Sequence, residues 1–116
     1  MENFKETGSM PLWLFTARDK PGRLETRKAT RPTHRDYITR KDLPAEMVFG
    51  SPLLDENGDM NGTWLVLLAD TKADVEAFCA GDPYSAADLF ETTDIRQLAP
   101  GFDWTSKVED LEARLG

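Results

Sequence analysis

An α+β domain with its elements in the order β-α-β-β-α-β is what the sequence predicts, and three observations predict it. Short apolar runs, rich in aromatic and β-branched residues or alternating in polarity, recur four times along the 116 residues. Stretches with helical caps and stops separate the first run from the second and the third from the fourth. The second and third runs are joined by a polar turn segment instead, which makes them a hairpin.

Pro11-Leu12-Trp13-Leu14-Phe15-Thr16-Ala17-Arg18 is the first strand, an aromatic run bounded by polar residues, and Asp19-Lys20-Pro21-Gly22 turns the chain after it. Arg23 to Arg40 is helical in tone, but Pro32 interrupts it. An interior proline costs about 3 kcal/mol in a helix. Two pieces are therefore expected, Arg23 to Ala29 and a second with Thr30 or Arg31 before Pro32 at its first position. That division puts His34 in the opening turn of the second piece, with Ile38 on the same, core-directed face.

Met47-Val48-Phe49 leads the second strand into Gly50-Ser51-Pro52-Leu53-Leu54. The polar stretch from Asp55 to Gly62, with two Asn-Gly signals, forms a long hairpin tip, and Thr63 to Ala69 is an almost wholly apolar third strand. Asp70 or Thr71 caps the next helix, Val75, Phe78 and Cys79 give it a buried stripe, and Gly81 ends it. Asp82 and Pro83 then stand as N-cap and first residue of a further short helix. Glu91 to Leu98 alternates as a fourth strand. From Ala99 to Gly116 the tail carries Phe102 and Trp104, then Val108, Leu111 and Leu115 at helical spacing, an amphipathic helix that must dock on something. The chain thus divides into a leader at 1–10, a ferredoxin-like domain at 11–98 with an antiparallel sheet, and a helical tail at 99–116. Helices cover one sheet face. Large residues such as Trp13, Phe15, Trp64 and Val66 are available to the other, which a second copy would cover, so a homodimer is expected.

Composition narrows the partners. A net charge of −7 argues against nucleic acid and against an anionic membrane, since phosphates call for the opposite balance. No apolar run reaches the ~18 residues of a membrane span. One cysteine, Cys79, forms no internal disulfide, which fits a cytoplasmic setting, and its apolar neighbours mark it as core filling. The cations cluster between Arg18 and Lys41, a segment that either binds a small anion or forms a solvated helix face. Metal ligand spacing and a glycine-rich phosphate loop are both missing, so no cofactor is expected.

His34 is the one histidine. In an opening helical turn the positive end of the helix favours a neutral imidazole, which is able to accept a proton, although a histidine at a helix start also serves purely structural ends. Asp82 is the natural second member of a dyad, because a carboxylate on one ring nitrogen fixes the tautomer and makes the other nitrogen a better base. The plainer reading of Asp82 is a helix cap alone.

Three motifs, in order, resemble the YCII-related (YciI-like) family of the dimeric α+β barrel superfamily. They are Arg31-Pro32-Thr33-His34, Gly50-Ser51-Pro52-Leu53, and Gly81-Asp82-Pro83-Tyr84 with Leu89-Phe90. The resemblance spans residues 11 to 98 and implies a ferredoxin-like protomer, sheets packed face to face in a dimer, and a cleft holding a His-Asp pair, here His34 and Asp82. It further implies proton transfer on a small substrate, since one characterised relative is a dehydrochlorinase acting on a chlorinated hydroxyhydroquinone. The chain departs from the family pattern at Arg35-Asp36-Tyr37, which is more polar than the usual aliphatic continuation, and in its added C-terminal segment. The expectation is a cofactor-independent lyase or isomerase in which His34 is the base and Asp82 its orienter. Arg31 and Tyr84 would hold a phenolic or anionic oxygen, Ser51 would line the pocket, and Trp13 or Phe90 would stack on an aromatic or quinone-like ring. The alternative is a non-catalytic small-molecule-binding or dimerisation module.

Overall fold

The computed structural model describes residues 10–101 and 103–116; the expected leader, except Met10, and Phe102 of the tail lie outside the described residues. The elements are β1 (Leu12–Asp19), α1 (Leu24–Ile38), β2 (Glu46–Leu54), β3 (Met60–Leu68), α2 (Lys72–Ala80), α3 (Pro83–Ala86), β4 (Phe90–Gln97) and α4 (Trp104–Leu115). The strands form one sheet in the order β2-β3-β1-β4, antiparallel throughout, the ferredoxin-like arrangement.

Strand pairing sorts the side chains into two faces. Trp13, Phe15 and Ala17 of β1 and Leu65 and Leu67 of β3 are buried with Val75 and Phe78 of α2 and Ile38 of α1 in the main core. Each such large apolar side chain contributes about 1.5–3 kcal/mol on burial. Trp13 and Phe15 therefore belong to the helix-covered side, not to the opposite face for which they were available. The Trp13 indole N–H settles that choice by donating to the Ala69 carbonyl at 2.9 Å, a bond that a buried indole needs. The other face carries Leu12, Leu14, Trp64, Val66 and Phe49, alternate residues that the register sets side by side. A bulge at Val48 shifts β2 by one residue, which leaves Met47 and Gly50 on the helix side and Phe49 on the other.

The expected break at Pro32 does not occur. α1 is one helix of fifteen residues with Pro32 inside it. Pro32 is exposed, so the carbonyl it deprives of a partner faces solvent, while Arg27 before it and His34 and Ile38 after it are buried. Anchors on both sides of the proline hold the two halves on one axis, and tertiary packing overrides the local penalty. His34 is consequently the eleventh residue of α1, far from any helix N-terminus, and the dipole argument for it does not apply.

The hairpin tip is shorter than expected. β3 starts at Met60, and the five residues before it are tied by the Asp55 carboxylate, which accepts from the Asn57 and Asp59 N–H groups. Thr71 caps α2 by accepting from the Asp74 N–H. Gly81 closes α2 with φ −85°, so left-handed backbone is not its reason for being glycine. A Cβ there would stand 2.5 Å from the Tyr37 hydroxyl, which donates to the Phe78 carbonyl. In the tail, Trp104 stacks on Phe49 with centroids 5.5 Å apart, so α4 begins against the chain's own sheet on the face away from α1 and α2.

Candidate active site

Asp82 does both jobs that the sequence left open. Its Oδ1 accepts from the Tyr84 N–H at 2.9 Å, which makes it the N-cap of α3 with Pro83 as first residue. The same carboxylate faces His34 Nδ1 at 2.8 Å (Oδ1) and 3.0 Å (Oδ2). An ionised carboxylate only accepts, so Nδ1 donates in this bond and Nε2 is the ring nitrogen left for a proton transfer. Both side chains are buried, which removes competing water from the bond.

Tyr84 extends this pair. Its ring stacks on the His34 imidazole with centroids 3.9 Å apart at 18°, and the Arg27 guanidinium carbon lies 4.6 Å from its centroid. The residue is fully buried, yet its hydroxyl has no hydrogen-bond partner among the described residues. Burial raises the hydroxyl above its ordinary range, with Arg27 and Arg31 pulling the other way. It remains a neutral donor at pH 7. Arg27 thus weighs on the hydroxyl electrostatically without reaching good bonding geometry.

Arg27 itself is locked. Nε and Nη2 donate to the Asp19 carboxylate at 2.6 and 2.8 Å, and Nη2 also donates to Thr63 Oγ1 at 2.8 Å. The pair is buried and bidentate, the geometry in which a desolvated ion pair holds best. No individual signal in the sequence had marked Arg27. Its spacing of four from Arg31 and eight from Arg35 was the available clue, since those positions share a helix face.

A cavity of about 220 Å³ opens between α1 and the β2 side of the sheet. Arg27, Arg31, His34 and Arg35 of α1 border it, as do Tyr84, Gly50 and Ser51. A Cβ on Gly50 would come 2.6 Å from Leu65 Cδ2, so glycine preserves space on this side. His34, Arg31, Tyr84 and Ser51 are thus brought to one cavity. The Ser51 hydroxyl is spent on the Pro52 carbonyl at 2.8 Å. Trp13 lies in the core away from the cavity lining. Phe90 stands behind Tyr84, edge-on at 5.9 Å, and supports the wall without forming it. Cys79 is part-buried outside the lining, and burial pushes its thiol up to about 12, so it is no nucleophile at neutral pH.

The YCII-related domain matches residues 11–99. The chain belongs to the YCII-related family. Among solved structures, this YCII-related chain is similar to the 5-chloro-2-hydroxyhydroquinone dehydrochlorinase TftG of Burkholderia phenoliruptrix, in complex with 2,5-dihydroxybenzoquinone. The identity is 28%, the TM-score 0.67, and the match covers 78% of this chain and 95% of that one. A putative antibiotic biosynthesis monooxygenase of Bacteroides thetaiotaomicron shares the fold at 15% identity, with a TM-score of 0.54 over 82% of this chain and 92% of that one. No curated protein sequence matches. No helix among the described residues is long and apolar enough to cross a membrane.

Proposed function

We propose that this YCII-related protein is a small lyase that moves protons on a single hydroxylated ring, with His34 as the base. The observation that carries the reading is the buried His34–Asp82 bond at 2.8 Å beside a cavity bordered by arginines. At about 220 Å³ the cavity is below the ~300–1,000 Å³ of drug-sized sites, and it suits one ring with a few substituents. Similarity to the dehydrochlorinase supports a chlorinated hydroxyhydroquinone-type substrate.

In that reaction His34 Nε2 takes a proton from a ring hydroxyl, and the imidazolium that forms is stabilised by Asp82. A proton returns to the carbon bearing chlorine, a second hydroxyl proton is lost, and chloride leaves with the C–Cl electron pair. The ring reaches the quinone level and the sum is loss of HCl, so no outside oxidant is needed. Arg31 and the Tyr84 hydroxyl stabilise the oxyanion that develops. The protein works as a homodimer in the cytoplasm, its two sheets packed by the faces that carry Leu14 and Trp64.

Purified protein incubated with 5-chloro-2-hydroxyhydroquinone tests this by chloride release. His34→Ala should lower the rate by about 10²- to 10⁴-fold. Turnover that survives this substitution, or no turnover in the wild type, would sink the reading. The second reading, a small-molecule-binding module without chemistry, is favoured by one observation, that Arg31 and Arg35 at the cavity have no ion-pair partner among the described residues. It predicts ligand binding with no chloride release.

A further inference from the structure

Arg27, Arg31 and Arg35 stand at intervals of four along α1 and all border the same cavity. Residues so spaced lie one above another, roughly 5–6 Å apart at Cβ, and like charges in that relation repel. The fold neutralises only the lowest. Arg27 is held by Asp19, whereas neither Arg31 nor Arg35 has an ion-pair partner or a side-chain hydrogen bond among the described residues. A chain of net charge −7 has acids to spare, yet among the described residues none pairs with these two. Beside the ladder, the buried Tyr84 hydroxyl also has no hydrogen-bond partner among the described residues. Unmatched donors at two levels of one small cavity are what a ligand with two separated acceptors would satisfy.

We propose that the cavity takes a single-ring phenol or quinone with two separated acceptors, a ring oxygen held by Arg31 and the Tyr84 hydroxyl beside His34, and an anionic group held by Arg35 at the mouth. This rests on the proposed site and adds the charge class of its substrate. Arg35 is then a specificity-determining residue. Its planar fork meets a carboxylate in bidentate fashion, and its separation from Arg31, one helical turn along α1, is set by the backbone. The ring lies between the two anchors, with one oxygen directed to the base.

Calorimetric titration with 2,5-dihydroxybenzoate, hydroquinone and benzoate tests the proposal without relying on turnover. The wild type should bind 2,5-dihydroxybenzoate about tenfold or more tightly than hydroquinone, and more tightly than benzoate, which lacks the hydroxyls. Arg35→Leu should erase the advantage over hydroquinone while leaving hydroquinone itself unchanged. Tyr84→Phe should weaken both hydroxylated ligands and leave benzoate unaffected. Equal binding of the dihydroxybenzoate and hydroquinone, a uniform loss in Arg35→Leu, benzoate binding as tightly as the dihydroxybenzoate, or no binding of any of the three would overturn it. His34→Ala separates the two ideas. The charge preference should persist in that variant, whereas failure of the proposed reaction shows in chloride release, as its absence in the wild type or its survival in His34→Ala.

Discussion

The Asp82 carboxylate serves the backbone of α3 and the imidazole of α1 with the same oxygen, and these duties are separable. Asparagine caps a helix about as well as aspartate, so Asp82→Asn should keep the fold within a few tenths of a kcal/mol in urea denaturation. Its amide does not stabilise an imidazolium as a carboxylate does, and the chloride-release rate should fall by an order of magnitude or more. Arg27 makes the opposite kind of prediction. Arg27→Met leaves Asp19 buried without its partner, which should cost about 3–5 kcal/mol and appear as a large drop in the urea midpoint. Burial also raises three acids at once, Cys79 to about 12 and Tyr37 and Tyr84 in the same direction. The folded chain keeps these protons at a pH where the unfolded chain has lost them. Stability is therefore fully present below about pH 8.5, the ordinary thiol value, and declines as pH rises from there toward 12. Urea midpoints at pH 8 and pH 10.5 should show the decline, and Cys79→Ala should reduce it.

Among the elements, α1 and α3 carry the site between them, and their seating depends on close approaches at the end of α2. Gly81 is the clearest of these. Gly81→Ala puts a methyl 2.5 Å from the Tyr37 hydroxyl and should cost about 1–3 kcal/mol, seen as a lowered Tm, because the hydroxyl must give up its bond to the Phe78 carbonyl. Asp82 follows directly in the chain, so the same variant should lose activity beyond what its stability explains. The latch at the other end of α3 is more exposed. Lys20 meets the Asp88 carboxylate at 2.6 Å and Arg23 donates to the Asp88 carbonyl at 3.0 Å, with Asp88 at φ 54°. These are exposed pairs, and they add at most a fraction of a kcal/mol to the seating.

For the whole molecule, the radius of gyration of 15.3 Å exceeds the ~13 Å of a compact chain of this length. α4 contributes to that extension: Trp104 rests on Phe49, but Leu111 and Leu115 farther along are exposed. In the proposed homodimer, the sheet face that bears Leu14 and Trp64 would meet a second copy. Light scattering should give twice the 13.1 kDa of one chain, and Leu14→Asp should reduce it to one. A monomer in the wild type would remove the dimer from the proposal and leave the cavity argument standing, since every cavity residue named above belongs to one chain.

Strand identities, the hairpin, the capping of α2 and α3 and the pairing of His34 with Asp82 as candidates were all legible in the sequence. Each rests on local chemistry: an apolar run, a turn dipeptide, a cap followed by proline, a titratable group of the right kind. What local chemistry left undecided depended on contacts from elsewhere in the chain. Pro32 reads as a helix breaker until buried Arg27 and His34 are known to anchor both sides of it. Trp13 reads as a pocket wall until the register sends its indole to Ala69. Arg27 reads as one cation among many until Asp19 and Thr63, eight and thirty-six residues away, are seen to hold it against Tyr84. The sequence by itself determined which residues were available to the site and in what order they come. Only the tertiary structure decided which of them meet, because the packing of α1 and α3 on one face of the sheet sets those distances, and sequence spacing does not.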